Sequence, residues 1–277
     1  SIEYCKLQPN TYVVCMFPLV NKKLTEAYNI INNSGDVFYA KQFTLNKTGS
    51  FNFMRELYLG EKWAGNSSNN YAGYRQKAEL CFPDYSPVTA VLVNLHNLES
   101  AKIIKAKIRE LFNVGNHCVH INDTHSQSVR ISKTIFNKNS IHYLNNAIPT
   151  NYKTFNFCMN EYHAEINAKK LDIDDYCIGG SAPLAAYGLR ECKDLDYLHF
   201  DQNLIYGTQD LIHSHNDYGI GRYHLDREDI IYHPNNYFYH RGIKFAALDT
   251  IRRLKFKRNE PKDVVDINLI DKVLPDV

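Results

Sequence analysis

The stretch Cys177-Ile178-Gly179-Gly180-Ser181, followed by Asp194-Leu195-Asp196, joins the residue types needed to grip a cation and a phosphate together. Lacking a Cβ, Gly179 and Gly180 let backbone amides come close to a phosphate. The Ser181 hydroxyl, at the start of a helical stretch, favours anionic oxygens. Residues two apart on a strand face one side, so Asp194 and Asp196 are expected to project together while Leu195 points into the core. Two adjacent carboxylates repel unless a cation lies between them, and hard oxygen ligands of this kind suit Mg²⁺ or Mn²⁺. Such an ion neutralises charge in a displacement at phosphorus or steadies a departing nucleoside diphosphate. Taken singly, paired glycines are a tight turn and Asp-x-Asp is a solvated strand face. Their combination and order carry the chemical reading.

The elements that must position these residues follow from periodicity. Tyr176–Ile178 reads as a short strand, Ala182–Tyr187 as a helix ended by Gly188, and Asp194–Phe200 as an alternating strand. Upstream, Thr11–Leu19, Val37–Leu45, Val88–Leu95 and His117–Ile121 read as strands. Lys22–Asn33, Leu98–Phe112, Thr124–Phe136, Asn139–Ala147 and Asn156–Lys170 have helical spacing, the third capped by Asp123 or Thr124. Downstream, Asp229–Tyr232 reads as a strand, with closing helices at Gly242–Lys257 and Lys262–Val273. The alternation predicts an α/β chain. Residues 1–150 suit a Rossmann-like strand/helix domain, and residues 151–277 a second domain, the turn chemistry of Pro149-Thr150-Asn151 marking the boundary.

Gly-Gly-Ser, a short helix and then Asp-x-Asp on a strand resembles the signature of the polymerase-β-type nucleotidyltransferase superfamily. Twelve residues separate Ser181 from Asp194, within that family's spacing. Gly242-Ile243-Lys244-Phe245, with Lys255, Arg258, Lys262, Asp263 and Asp266, resembles the closing segment of its minimal members, so the likeness covers roughly residues 160–277. The resemblance implies a mixed sheet, metal ligands at Asp194 and Asp196, and a third, catalytic carboxylate on a following strand. Asp229 is the choice for that carboxylate, with Asp217 and Asp226 as alternatives. Some relatives lack an intact acidic set and only bind or scaffold. Lys244, beside apolar Ile243 and Phe245, is a candidate to neutralise the donor's phosphates, together with Gly179, Gly180 and Ser181.

These residues predict a divalent-metal-dependent transferase using a nucleotide-activated donor, with nucleotidyl transfer to a small-molecule or glycan hydroxyl as the leading form. A glycosyltransferase holding a nucleotide-sugar through Asp-x-Asp and Mn²⁺ is the rival, and a non-catalytic nucleotide-binding module the third reading. Composition narrows the field. With 32 basic and 30 acidic residues the charge is nearly balanced, which argues against a long nucleic-acid partner. Apolar runs are too short for a membrane span, and the N-terminus lacks a signal-peptide pattern. Seven scattered cysteines without a C-x-x-C pair point to a reducing, cytoplasmic setting. The histidines, His213 and His215 among them, show no zinc spacing, although one of them can reach substrate. In the first half, His117, His120, Asp123, Thr124 and His125 crowd a strand-to-helix loop, where open α/β sheets bind ligands. Trp63, the only tryptophan, is either a packing residue or a stacking platform.

Overall fold

A computed structural model describes residues 1–217 and 220–274. By contacts the chain divides into two compact units, Ser1–Phe136 and Asn137–Val277. The boundary precedes the expected 150/151 for a packing reason. The helix at Lys138–Asn146 lays Tyr143 on Phe238, ring centroids 4.8 Å apart, and the Ser140 hydroxyl accepts the Tyr239 amide at 2.8 Å. It therefore belongs with the second sheet.

The first unit runs α1 (Ile2–Leu7), β1 (Thr11–Met16), α2 (Leu24–Asn32), β2 (Asp36–Phe43), α3 (Lys47–Leu57), α4 (Ala72–Cys81), β3 (Val88–Asn94), α5 (Leu98–Phe112), β4 (Val119–Ile121) and α6 (His125–Phe136). Its sheet has the order β2-β3-β1-β4, with every neighbouring pair antiparallel. The strand/helix alternation is as expected, but the Rossmann-like arrangement is not. β1 and β2 run parallel with β3 inserted antiparallel between them, a split β-α-β unit. β1 is buried along its whole length. Tyr12, Val14 and Met16 join Ile31, Ile104 and Ile108 in one core beneath α2 and α5. α6 covers β1 as well, and its Ser128 hydroxyl donates to Thr11 O at 2.5 Å. Asparagines start the helices: Asn46, Asn97 and Asn137 each accept an amide from the first turn at 2.7–3.0 Å, a cap that contributes about 1 kcal/mol.

The second unit contains α7 (Lys138–Asn146), α8 (Lys153–Lys169), β5 (Tyr176–Ile178), α9 (Ala182–Ala186), β6 (Leu195–His199), β7 (Ile212–Ser214), α10 (Arg227–Tyr232), β8 (Tyr237–His240), β9 (Ile243–Ala246), α11 (Leu248–Arg258) and α12 (Pro261–Asp271). Its sheet, β7-β6-β5-β9-β8, is mixed: β5/β6 and β8/β9 are antiparallel, β6/β7 and β5/β9 parallel. Two local expectations change. Asp229–Tyr232 is helical, because Ile230 and Ile231 are buried on a single turn, and a short apolar run carries no period of its own. The segment from Gly242 opens with β9 rather than a helix. Arg241 (φ 52°) and Gly242 (φ 79°) form a two-residue turn between the paired His240 and Ile243, and left-handed conformations at both positions close a tight hairpin. No helix among the described residues is long and apolar enough to cross a membrane.

Candidate functional site

The antiparallel pairing of β5 and β6 brings the glycine turn to the aspartates. Ile178 lies opposite Tyr197, and the ladder continues as Gly179 N donates to Asp196 O at 2.8 Å. Gly180 then turns with φ 58°, and a Cβ built there would overlap the Asp196 carboxylate. Only glycine allows this approach. On the other side of the turn Gly180 N donates to the buried Tyr223 hydroxyl at 3.2 Å. Tyr223 fills the space a side chain at Gly179 would need.

Both glycine amides are thus already hydrogen-bonded, to Asp196 O and the Tyr223 hydroxyl. The expected phosphate cradle of Gly179 and Gly180 amides is not available, and the glycines act through their closeness to Asp196. Ser181 lines the adjoining cavity of about 510 Å³, together with Gly180, Asp194 and Asp196.

Asp194 stands just before β6, and Asp196 on it, with the intervening Leu195 fully buried. The two aspartates share one cavity, as their spacing predicted. Burial first, and then the neighbouring Asp196 charge, push the Asp194 carboxyl above its ordinary value, against the opposing pull of His213, His215 and Lys262. A cation between the pair would relieve that repulsion.

The third carboxylate is not where the sequence placed it. Asp229 is exposed on α10 and does not line the cavity, its carbonyl accepting from Asn236 at 3.0 Å. Asp217 and Asp226 are exposed and likewise absent from the lining. The strand that follows and pairs with β6 is β7, Ile212-His213-Ser214. His213 lies opposite Asp196, and His215 Nε2 is 3.0 Å from Asp196 Oδ1. Imidazoles occupy the side of the site where a carboxylate was expected. Among the described residues no three His, Cys, Asp or Glu side chains are grouped to hold a metal ion. The donor set still suits Mg²⁺, which is commonly held by one or two carboxylates with substrate phosphates and water completing its shell.

Lys244 is also relocated. It is buried on β9, donates to Asp174 O at 2.7 Å and Ile231 O at 2.8 Å, and lies between the rings of Tyr232 and Tyr237. It braces the sheet against α10 and does not reach the cavity. The cations that do are Arg190, Lys193, Arg222, Lys255, Arg258 and Lys262, facing three carboxylates, Asp194, Asp196 and Asp266. Lys255 and Arg258 are held by acids of α12. Lys255 Nζ is 2.6 Å from Asp266, Arg258 donates to Asp263 at 2.5 and 2.9 Å, and Arg190 donates to Asp266 at 2.5 and 2.7 Å. The basic residues near the C-terminus therefore divide: Lys255 and Arg258 turn inward, Lys262 pairs with Glu260 at the exposed rim of the cavity, and Arg252 and Arg253 pair with surface aspartates. Arg190 and Lys193 escaped the sequence reading, although both fall inside the spacer between Ser181 and Asp194.

No protein-family model matches the chain, and neither does any curated protein. Among solved structures, a nucleoside diphosphate kinase of Aquifex aeolicus is similar at a TM-score of 0.31 and 13% identity, over 44% of this chain and 92% of that one. A likeness that low carries no argument about this chain.

Proposed function

We propose that the second unit is a divalent-metal-dependent transferase acting on a nucleotide-activated donor, in its nucleotidyl-transfer form. The observation that carries the reading is the backbone of Gly180 held against the Asp196 carboxylate at the wall of a cation-rich cavity. A glycosyltransferase Asp-x-Asp needs no glycine turn against its carboxylates, so the geometry favours the nucleotidyl form.

Asp194 and Asp196 would hold Mg²⁺ or Mn²⁺, which when bound supplies neutralisation of the donor's phosphate charge. Ser181 and the cations of α11 and α12 bind the phosphates electrostatically. The acceptor hydroxyl oxygen bonds to the α-phosphorus, the bond to the β-phosphate oxygen breaks, and pyrophosphate leaves. His215, which lines the cavity beside Asp196, is the group assigned to receive the acceptor's proton. The acceptor is a small-molecule or glycan hydroxyl, because the chain's charge balance lacks the basic excess of a long nucleic-acid binder.

The missing third carboxylate favours a second reading, a module that binds the nucleotide without transferring it. One experiment separates the two and tests the first: thermal-shift titration with nucleoside triphosphates and nucleotide-sugars, with and without Mn²⁺, alongside assay of pyrophosphate release. Metal-dependent stabilisation by triphosphates, abolished by Asp194→Asn or Asp196→Asn, is expected. Stabilisation without pyrophosphate release supports the binding module. A response to nucleotide-sugars alone, with release of nucleoside diphosphate, defeats the nucleotidyl assignment.

A further inference from the structure

The first unit contains a cavity of about 630 Å³ that the proposed chemistry does not use. β4 contributes His120, α5 contributes Lys105 and Arg109, and α4 contributes Lys77. Tyr58 and Trp63 close one side. The polar groups are unevenly satisfied. Lys105 is paired with Asp123 at 3.4 Å, and the Lys77 ammonium is fixed by Asn116 O at 2.7 Å and Asn116 Oδ1 at 3.0 Å. Arg109 has no carboxylate partner among the described residues. Its Nε, like His120 Nε2, is buried without any hydrogen bond.

Buried nitrogens left without a hydrogen bond, Arg109 Nε and His120 Nε2, are costly in a folded protein, and a bound group could satisfy both. Burial above all, and then the charges of Lys105, Arg130, Lys77 and Arg109, holds His120 down to about 3, so its ring is uncharged at neutral pH. Lys77, Lys105, Arg109 and His120 bring nitrogen donors to the wall of this one cavity, a set that suits an oxyanion able to accept several hydrogen bonds. Beside them Tyr58 lies edge-on to both Trp63 and His120, at 5.2 and 4.8 Å between centroids, and Trp63 is 49% exposed. An indole fixed edge-on at a cavity wall with half its surface open offers a face for a ring.

We propose that this cavity binds a phosphorylated small molecule, its phosphate on Arg109 and His120 with Lys77 and Lys105 around it, and its ring against Trp63. The site is independent of the transferase reading and stands or falls apart from it.

Trp63 is the only tryptophan of the chain, so its emission reports this cavity alone. The full chain is titrated with a nucleoside 5′-monophosphate, a sugar phosphate, inorganic phosphate and the unphosphorylated nucleoside. A saturable emission change with the nucleoside monophosphate or the sugar phosphate is expected. Whichever binds more tightly identifies the ring, and inorganic phosphate should compete. Arg109→Met should weaken binding about tenfold or more, the loss of one charge-assisted contact. Lys105→Met provides a second weakened variant if the first folds poorly by circular dichroism. The Asp194→Asn/Asp196→Asn double variant should respond like the parent chain. A response to the bare nucleoside equal to that of its phosphate, unchanged affinity in a folded Arg109→Met, or no saturable response to any phosphate would overturn the proposal.

Discussion

Substituting Gly180 by alanine tests whether the turn and Asp196 form one site. Two costs are separable in the structure. At φ 58° an L residue adopts the left-handed region, which costs roughly 1–2 kcal/mol. The added Cβ would also stand 2.9 Å from Asp196 Cγ and 3.0 Å from its Cβ while overlapping Oδ2. Relief requires the Asp196 side chain to shift, and such overpacking costs typically about 1–3 kcal/mol. Gly180→Ala should therefore lose about 2–5 kcal/mol in guanidinium unfolding, together with the metal-dependent nucleotide stabilisation. Two other glycines isolate the contributions. Gly115 has φ 64° and open space around its Cβ position, so Gly115→Ala should show the backbone cost alone; Gly221, with open space, should be near neutral. In an Asp196→Ala background the Gly180→Ala cost should fall toward that of Gly115→Ala, a coupling of about 1–3 kcal/mol. If Gly180→Ala costs no more than Gly115→Ala, shows no coupling to Asp196 and keeps the nucleotide response, the contact has been misread and the site with it.

Further outcomes follow from other parts of the molecule. Asp266→Asn leaves Lys255 buried without a full counter-charge and should destabilise the second unit by about 3–5 kcal/mol, read by denaturant unfolding. At Asp263 and Asp266 burial alone would raise the carboxyls, but Arg258 and the Glu260 amide, and Arg190 and Lys255, outweigh it and hold both low. The unfolded chain takes up these protons first, so their stabilisation is full well above the ordinary carboxylate value of 3.8 and is lost as pH falls below it. His120 works in a different window. Its pKa drops from 6.5 to about 3 on folding, so the unfolded state binds the proton first and stability declines as pH falls below 6.5. That loss amounts to about 1.4 kcal/mol at pH 5.5, and His120→Asn should remove this component of the pH dependence measured by unfolding. Lys244→Met should lower the melting temperature yet leave nucleotide stabilisation in place, because its ammonium serves two carbonyls outside the cavity; loss of nucleotide binding in a folded variant would contradict that placement.

Much of this protein was determined by local pattern alone. The apolar positions Ala101, Ile104 and Ile108 set α5 at the bounds their period implies, and Tyr176–Ile178 is a strand as read. The two-residue spacing of Asp194 and Asp196 was enough to place both on one cavity, Asp196 on β6 and Asp194 directly before it, with the strand's alternation of sides carried one residue past its end. Tertiary structure decided the rest. Alternation cannot say whether β3 enters between β1 and β2 or beside them, so a Rossmann-like pattern and a split antiparallel sheet look the same before strands pair. Ile230-Ile231 carries no period, and only burial against the sheet made it helical and carried Asp229 to the surface. Lys244 resembled a phosphate ligand by its neighbours, but a lysine's role is set by which oxygens its flexible stem reaches, and Asp174 and Ile231 supplied them first. Arg190 and Lys193 joined the site because the spacer folds back toward α12, where Asp266 receives Arg190. Residue types and short spacings fix what a segment can do, whereas the choice among partners far apart in the chain belongs to the packed fold.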